Sequence, residues 1–520
     1  MSKNETPGTA KKGLFRIVFS RTGIMLLLIL LQLILFFRIP YYLGENMRYI
    51  YGVLMILTVI VVIYIINDKG NPAFKMTWML FVIIFPLVGS LFYIYVKVQP
   101  ETRYLHRRLD SLKIETAPYM RQNPDVVQAM WASKSANANL AYYLSHQLGF
   151  PTYRNTEVKY LPLGEYKFKY MISELKKAKK FIFMEYFIVE EGYMWDTILE
   201  VLKAKVKEGV EVRFMYDGMC AISMLPYNYP AQVRKFGIKC KMSNAVRPFL
   251  STVQNNRDHR KICVIDGKVG FTGGINIGDE YINKKERFGH WKDTSVMLRG
   301  DAVQSLTMMF LEMWNVYERG AENYEKYLTP QRKGLKRELG YVIPYGDSPF
   351  DNENVGEEVY FHILNHAKKY VHIMTPYLIL DNEMITTLTR VAKSGIEVVI
   401  IMPHIPDKWY AFVVAKTYYK ELIEGGVQIY EYTPGFVHAK VFVSDDDTAT
   451  VGTVNLDYRS LYLHFECGAF IYNNAEVDKI ERDFQQTLAK CHKVTLMEVK
   501  NRTLVTKIAG QILRLAAPLM

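Results

Sequence analysis

Two stretches of this chain share one pattern. Residues 259–276 read HRKICVIDGKVGFTGGIN, and residues 438–455 read HAKVFVSDDDTATVGTVN. In both stretches a His-x-Lys pair is followed by Asp, Gly and Asn at the same spacing, and every landmark is displaced by the same 179 positions, as from 259 to 438. A repeat without insertions inside otherwise divergent sequence predicts two structural copies that bring equivalent groups to one place.

Each copy is predicted to form a β-hairpin. The residues after Lys261 are β-rich, and an Asp-Gly-Lys turn signal follows them. If Gly267-Lys268 is a two-residue turn, Asn276 lies across from His259 and the small residue Gly274 lies across from Lys261. A small residue opposite the lysine would leave room for a ligand group. The second copy gives the same pairs, Asn455 with His438 and Thr453 with Lys440.

The aspartates of the two copies are predicted to support the hairpins. Asp266 and Asp445 each follow their histidine by seven residues. This distance corresponds to roughly 23 Å along an extended strand, at about 3.3 Å per residue. We therefore expect both aspartates at the hairpin turns, away from the reacting atoms.

Two facing copies would supply two imidazoles, two ammonium groups and two carboxamides. Fixed cations with neutral donors suit a phosphoryl transition state, which preorganised charge stabilises. One neutral histidine can attack phosphorus, while the other, protonated, gives its proton to the leaving alkoxide. This arrangement predicts phosphoryl transfer with neither a metal ion nor a cofactor.

The repeated pattern resembles the HxKxxxxDx6G[GST]xN signature of the phospholipase D superfamily. Flanking segments resemble its bacterial cardiolipin synthase branch: Asp279-Glu280-Tyr281, His290-Trp291-Lys292-Asp293, and the run from Asn455 through Arg459-Ser460 to Phe465-Glu466. One departure is His464, where many relatives carry Asn. The resemblance implies phosphatidyl transfer from one phosphatidylglycerol to a hydroxyl of another, with release of glycerol.

The resemblance also assigns site residues, with the first histidine of the repeat as nucleophile. The catalytic set that it implies is His259, Lys261, Asp266, Asn276, His438, Lys440, Asp445 and Asn455. The hairpin argument places the two aspartates in a supporting role within this set.

Four further residues are candidates for substrate binding. Glu185 and Glu466 fall near strand ends, where each could orient a histidine or a glycerol hydroxyl, or could be a structural carboxylate. Arg459 and Ser460 could hold a phosphate or cap a helix. The sequence leaves these alternatives open.

Three uncharged apolar runs occupy the N-terminal region: residues 22–37, 49–67 and 78–96. The second and third approach the roughly 20 residues that cross a bilayer, whereas the first is shorter. Basic residues precede the first run and follow the third, which places both flanks in the cytoplasm. We therefore predict a multi-pass protein of the cell membrane, with a hairpin of the second and third runs, a first run partly in the interface, and a cytoplasmic catalytic domain.

The net charge indicates the kind of binding partner, and the cysteine spacing indicates whether a zinc site is expected. A net charge of +13 favours an anionic partner, and the apolar runs favour phosphatidylglycerol and other anionic phospholipids over nucleic acid. The five cysteines show no zinc-binding spacing. We expect them to be buried free thiols.

After residue 115 the chain repeats an αβαβ passage before each motif. This alternation predicts an α/β fold of two phospholipase D-like lobes with pseudo-twofold symmetry and mostly parallel sheets. The expected regions are 1–115 (membrane), 118–320 (first lobe), 340–495 (second lobe) and 496–520 (amphipathic helix), with 320–340 as the connection. The last helix either lies on the bilayer or docks on the second lobe.

Three other functions fit parts of the pattern. A phospholipase D-type hydrolase would use the same residues with water as acceptor. A non-catalytic lipid-binding scaffold is disfavoured because both copies keep His, Lys and Asn. A nuclease fits the basic charge but gives no role to the apolar runs.

Overall fold

A computed structural model describes residues 47–98, 100–244, 255–318, 320–329, 340–351 and 353–519. The apolar run 22–37 and residues 330–339 of the predicted connection between the lobes lie outside the described residues. The chain divides into two compact units, and the larger one contains both predicted lobes.

The smaller unit contains a group of helices. They are α1 (Met47–Asn67), α2 (Pro72–Ile84), α3 (Pro86–Val98) and the start of α4 (Pro100–Thr116). Val61 and Ile65 of α1 pack with Val82 and Tyr93 in one apolar cluster. Among the described residues, no helix combines the length and the apolar character that crossing a bilayer requires.

The third apolar run does not form a single helix. Phe85 leaves the helical conformation, and Pro86 begins α3. Proline has no N–H to donate, and it disfavours helical geometry in the residue before it. The run 78–96 is therefore divided between two shorter helices.

The first lobe surrounds a seven-stranded sheet. Before the sheet come α5 (Pro124–Ala132) and α6 (Asn137–Tyr142). The strands and helices that follow are β1 (Thr156–Leu161), α7 (Gly164–Leu175), β2 (Phe181–Tyr186), α8 (Tyr193–Lys207), β3 (Glu211–Asp217), α9 (Cys220–Ser223), α10 (Tyr229–Arg234), β4 (Lys239–Ser243), β5 (Ile262–Ile265), β6 (Val269–Gly273), β7 (His290–Lys292), β8 (Ser295–Gly300) and α11 (Val303–Asn315). The strand order is β1-β8-β6-β5-β2-β3-β4.

The second lobe repeats this plan around an eight-stranded sheet. Its elements are β9 (Tyr341–Asp347), α12 (Val355–His366), β10 (Tyr370–Met374), α13 (Asn382–Lys393), β11 (Glu397–Pro403), α14 (Trp409–Glu424), β12 (Gln428–Tyr432), β13 (Gly435–Val437), β14 (Val441–Ser444), β15 (Thr448–Gly452), α15 (Tyr458–Tyr462), β16 (Glu466–Tyr472), α16 (Glu476–Leu488) and β17 (Cys491–Lys493). The strand order is β17-β12-β11-β10-β14-β15-β16-β9.

Both sheets are mixed, so the prediction of mostly parallel sheets is wrong. In the first lobe, β2, β3 and β4 run parallel, whereas β5, β6 and β8 add to them in antiparallel fashion. The second lobe does the same with β10, β11 and β12 beside β14, β15 and β16. The helical crossovers make the parallel half, and the repeated hairpin makes the antiparallel half.

The repeated hairpins form with a register one residue away from the prediction. Ile265 pairs with Val269 in the first copy, so the turn has three residues, Asp266, Gly267 and Lys268, instead of two. Asp266 and Gly267 both have positive φ. The second copy has the same three-residue turn between Ser444 and Thr448. The predicted pairing of each histidine with its asparagine is therefore wrong.

The two lobes are joined through their backbones beside the repeated motifs. β13 of the second lobe pairs in parallel with β7 of the first. Asp258 forms an isolated parallel bridge with Phe465. Across the sheets, the hydroxyl of Thr272 lies 3.3 Å from the thiol of Cys467. The motif-bearing strands of both lobes thus meet in one place.

The C-terminal segment contains two helices instead of the single one predicted. They are α17 (Leu496–Lys500) and α18 (Leu504–Arg514), and residues 501–503 separate them. α18 packs on α14 of the second lobe. All five cysteines are free, and four of them are buried, as predicted.

Candidate active site

Each repeated histidine is held by a carboxylate of the other lobe. Nδ1 of His259 lies 2.9 Å from both carboxylate oxygens of Glu466. Nδ1 of His438 lies 2.6 Å from Oδ2 of Asp293. A carboxylate only accepts hydrogen bonds, so each Nδ1 carries the hydrogen and each Nε2 keeps a lone pair. All four side chains are buried.

The backbone of each histidine also donates a hydrogen bond to the opposite lobe. The N–H of His259 donates to the carbonyl of Phe465 at 2.9 Å, and the N–H of His438 donates to the carbonyl of Lys292 at 2.7 Å. In both cases the accepting residue directly precedes the carboxylate that holds the ring. Backbone and side chain of each histidine are therefore fixed by one short segment of the opposite lobe.

The two lysines are buried beside their histidines. Nζ of Lys261 donates to the carbonyl of His259 at 2.5 Å, and Nζ of Lys440 donates to the carbonyl of His438. Burial lowers the pKa of Lys261 to about 8 and that of Lys440 to about 7. Each ammonium also lowers the pKa of a histidine across the lobes, so the four side chains form one electrostatic cluster.

Burial also keeps both imidazoles neutral. It lowers the pKa of His259 well below its usual value, and the charges of Lys261 and Lys440 lower it further. Burial lowers the pKa of His438 to about 4, although its bond to Asp293 acts in the opposite direction. The pKa of Asp293 is itself lowered by His438 and Lys440, so this carboxyl is ionised. His438 is the histidine that is easier to protonate.

The asparagines occupy different surroundings in the two copies. Oδ1 of Asn276 accepts from the N–H of Ile188, and its amide donates to the hydroxyl of Tyr281 at 3.2 Å. Oδ1 of Asn455 is buried and has no hydrogen-bond partner in the described part of the chain. An acceptor of this kind suits a donor on a bound substrate.

A side chain from the helix before β2 or before β10 holds the carbonyl that precedes each asparagine. In the first copy, Nζ of Lys167 in α7 donates to the carbonyl of Ile275 at 2.7 Å. In the second copy, the hydroxyl of Tyr360 in α12 donates to the carbonyl of Val454 at 2.6 Å. Two unlike side chains thus hold equivalent carbonyls. Sequence comparison of the copies offered no signal for either.

The motif aspartates lie at the hairpin turns, where the spacing argument placed them. The carboxylate of Asp266 accepts the N–H groups of Lys179, Lys180 and Phe181 at 2.7 to 3.0 Å. The carboxylate of Asp445 accepts three equivalent N–H groups, from Lys368, Lys369 and Tyr370. Asp266 therefore connects its turn to the start of β2, and Asp445 connects its turn to the start of β10.

The small residues after the hairpins do not leave space for a ligand, which corrects the prediction. A Cβ at Gly274 would lie 2.2 Å from Oδ1 of Asp293, so only glycine allows this carboxylate to reach His438. Thr453, at the equivalent position, donates its hydroxyl to Glu466. Each residue therefore positions the carboxylate that orients a histidine: Gly274 leaves room for Asp293, and Thr453 donates to Glu466.

The four candidate substrate-binding residues make different contacts in the structure. Glu466 orients His259, whereas Glu185 pairs with Arg260 at 2.6 Å instead of contacting a histidine. Ser460 lies in α15, and the cap of that helix is Asp457, which accepts the N–H of Ser460. The charge of Arg459 acts on His464.

Asp293 and His464 add to the site that the sequence predicted. Asp293 was visible only as part of a flanking segment that resembled the family. Neither ring nitrogen of His464 has a hydrogen-bond partner within the described ranges, and Nδ1 lies 3.8 Å from Oε1 of Glu466. Ligand atoms of His259, His464 and Glu466 lie within 4.8 Å of one another, a spacing that could hold a metal ion.

Comparison with known proteins identifies the family. A family profile described as "Cardiolipin synthase, PLD-like domain" matches residues 171–314 and 360–488. A cardiolipin synthase of Halalkalibacterium halodurans is 33% identical over 508 residues, which is 96% of this chain and 100% of that protein. This chain belongs to the cardiolipin synthase family.

Two further relatives and a second family profile extend the match. The cardiolipin synthase of Alkalihalophilus pseudofirmus is 34% identical over 88% of this chain and 91% of its own length. An uncharacterized protein of Streptococcus mutans is 49% identical over 88% of this chain and 99% of its own. A second profile, "Phospholipase_D-nuclease N-terminal", matches residues 56–97.

The fold recurs in a phosphatidylserine synthase of Haemophilus influenzae. That structure superposes with a TM-score of 0.56 at 16% identity, covering 74% of this chain and 97% of the other. At this identity the match concerns the fold alone. The two-lobed phospholipase D-like architecture expected for a cardiolipin synthase family member is therefore confirmed.

Proposed function

We propose that this protein is a phosphatidyltransferase that makes cardiolipin and glycerol from two phosphatidylglycerol molecules. The observation that carries the proposal is the pair of buried histidines, each oriented by a carboxylate of the opposite lobe and flanked by a buried lysine. This is the arrangement that a two-step displacement at phosphorus requires.

In the first step, we assign His259 as the nucleophile. Its Nδ1–H faces Glu466, so the lone pair on Nε2 is free to attack phosphorus. The bound anionic phosphodiester favours the protonated form of His438, which then carries a hydrogen on Nε2 as well as the one on Nδ1 that faces Asp293. The P–O bond to the departing glycerol breaks, and His438 gives this Nε2 proton to the glycerol oxygen. His438 suits this role because Asp293 raises its pKa relative to that of a histidine buried without a partner.

The product of the first step is a phosphatidyl group bonded to His259. In the second step, neutral His438 takes the proton from a hydroxyl of another phosphatidylglycerol. The oxygen of that hydroxyl attacks phosphorus, and the P–N bond to His259 breaks. Cardiolipin leaves, and both histidines return to their starting protonation states.

The lysines and Asn455 serve the phosphoryl oxygens. A bound phosphodiester is anionic, so it favours the charged forms of Lys261 and Lys440, whose pKa values burial has lowered. The unpartnered Oδ1 of Asn455 can accept a hydroxyl of the incoming glycerol. Buried cations in a water-poor site stabilise developing charge more strongly than exposed ones do.

We also propose that the protein resides in the cell membrane. The segments 49–67 and 78–96 would enter the bilayer as a hairpin, with the catalytic lobes in the cytoplasm. Support comes from the exposed apolar side chains along α1, among them Val53, Met55 and Ile56, and from the basic residues that flank the apolar region. Protease protection of the lobes in sealed cells, and cleavage after lysis, tests this orientation.

A single incubation tests the catalytic proposal. The purified full chain is supplied with phosphatidylglycerol labelled in its glycerol headgroup and its acyl chains. Cardiolipin and free glycerol in equal amounts support transfer, whereas phosphatidic acid without cardiolipin would establish hydrolysis instead. His259→Ala and His438→Ala should each abolish turnover, and His366→Ala, an exposed histidine on α12, is the control.

A further inference from the structure

The C-terminal helix α18 presents an apolar face to solvent. At 100° per residue, Leu504, Ile508 and Leu515 fall on one side of the helix. These side chains are 71%, 51% and 59% exposed. With two exposed neighbours they form what we call the apolar stripe: Leu504, Val505, Ile508, Ile512 and Leu515.

The opposite face of α18 is the one that packs on the second lobe. Gly510 is buried, and a Cβ there would lie 2.7 Å from a methyl group of Thr417 in α14. The guanidinium of Arg514 lies 4.2 Å from the ring centre of Tyr418. An amphipathic helix on a soluble domain normally buries its apolar face. Here a small residue and a cation make the contact, and the apolar stripe faces outward.

The charge around the apolar stripe indicates what covers it. Between Cys491 and Met520 there are five Lys or Arg residues, and Glu498 is the single acidic residue. Lys507 donates to the neutral carbonyl of Lys500, which does not offset its charge, whereas Arg502 donates to the carbonyl of Lys416 and also interacts with the carboxylates of Glu431 and Glu498. Aliphatic side chains bordered by cations match an anionic bilayer surface, which offers acyl chains below negative headgroups.

We propose that the apolar stripe inserts into the headgroup region of a leaflet that contains anionic phospholipid. α18 then contacts α14 through the face that contains Gly510 and Arg514, and it contacts lipid through the apolar stripe. Because α18 is packed on the second lobe, this insertion fixes the orientation of that lobe to the bilayer. The binding requires no turnover, so it can be tested apart from the proposed function.

The direct test measures whether position 508 contacts lipid. Full-length protein carrying Cys491→Ser and Ile508→Cys is labelled with a polarity-sensitive fluorophore and reconstituted into phosphatidylcholine vesicles with or without phosphatidylserine. Doxyl-labelled lipids in those vesicles quench a fluorophore at the headgroup–acyl boundary. The control carries the label at Lys420→Cys, an exposed position on α14.

We expect at least about twofold stronger quenching at position 508 than at position 420, and a larger difference when phosphatidylserine is present. Equal quenching at both positions would overturn the proposal. A blue-shifted label without quenching would also overturn it, because the apolar stripe would then be covered by protein, either residues 1–46 or a second copy of the chain.

A functional test uses the lipid substrate and therefore rests on the proposed function. Leu504→Ser/Ile508→Ser/Leu515→Ser should slow turnover on vesicles at least about tenfold, yet retain the wild-type rate on substrate in detergent micelles. Phe236→Ser, which removes an exposed aromatic ring from the first lobe, is the control. Wild-type rates on vesicles would count against the proposal. Loss of both rates would point to failed folding or failed chemistry, and the quenching measurement then decides.

Discussion

Replacing Glu466 by Gln tests the contact on which the proposed first step depends. The carboxylate is fully buried, with both oxygens 2.9 Å from Nδ1 of His259. Gln keeps the shape of the side chain but removes its charge and turns one acceptor into a donor. The effect on the rate depends on which way the new amide points.

The surrounding hydrogen bonds determine that orientation. The hydroxyl of Thr453 accepts the N–H of Cys467 at 2.9 Å, donates to Oε2 of Glu466, and lies 3.1 Å from the carbonyl of Cys467. The close contact with Oε2 favours the oxygen of Gln at that position, with the NH2 group at the position of Oε1. An NH2 group there, 2.9 Å from Nδ1 of His259, favours the tautomer with its hydrogen on Nε2, where the attacking lone pair should be.

We expect kcat to fall by about 10³- to 10⁴-fold, which corresponds to about 4 to 5.5 kcal/mol at 1.36 kcal/mol per tenfold. A wrong tautomer forced by a carboxylate-to-amide change costs about 10⁴-fold in a serine protease triad. The assay is the initial rate of glycerol release from labelled phosphatidylglycerol. Circular dichroism melting establishes that the variant is folded.

The chain contains its own matched control. Glu481 holds Nδ1 of the buried His372 at 2.9 to 3.0 Å, in a His–Glu pair outside the site. Glu481→Gln should leave kcat unchanged while altering a contact of the same kind. If Glu466→Gln retains a tenth or more of the wild-type rate, the carboxylate does not set the tautomer of His259, and the reasoning fails.

Three further outcomes are expected. Asp266→Ala should lower the free energy of unfolding by about 2 kcal/mol in urea titrations while the folded protein keeps its kcat, because the carboxylate bonds only turn and strand N–H groups; loss of kcat at unchanged stability would contradict this. The ratio kcat/KM should fall as pH rises through about 7 to 8, where Lys440 and Lys261 lose the protons that attract an anionic phosphodiester; a profile flat to about pH 9 would refute it. His464→Asn, which exchanges one polar side chain for another at a buried position, should keep kcat within about threefold, and a hundredfold loss would make His464 part of the chemistry.

The hairpins were predictable from sequence because their signals are local. β-rich residues, a turn triplet and a return strand occupy one short stretch, and the same stretch occurs twice. The register was not predictable in detail. A two-residue turn, Gly267-Lys268, was expected, whereas the turn has three residues and begins at Asp266, whose carboxylate accepts three N–H groups at the start of β2.

The carboxylate partners were harder to predict because they come from the other lobe. His259 is separated from Glu466 by most of the second lobe, and no spacing rule connects them. Glu466 was noticed only as a carboxylate near a strand end, a signal that it shares with Glu185, which pairs with Arg260 in the structure. Asp293 gave no signal of its own. Such contacts depend on how two sheets pack, which periodicity does not report.

The exchange of carboxylates between lobes also explains how two copies of one motif can play two roles. If both copies were identical, both histidines would have the same surroundings and the same pKa. Fusion into one chain allows the partners to differ: Glu466, with Thr453 beside it, faces His259, whereas Asp293, admitted by Gly274, faces His438. Burial lowers the pKa of His438 and the bond to Asp293 opposes this, whereas burial and the charges of Lys261 and Lys440 lower the pKa of His259 well below its usual value. In the proposed mechanism, an acid and a nucleophile thus arise from a pseudo-symmetric pair whose members are held by different residues.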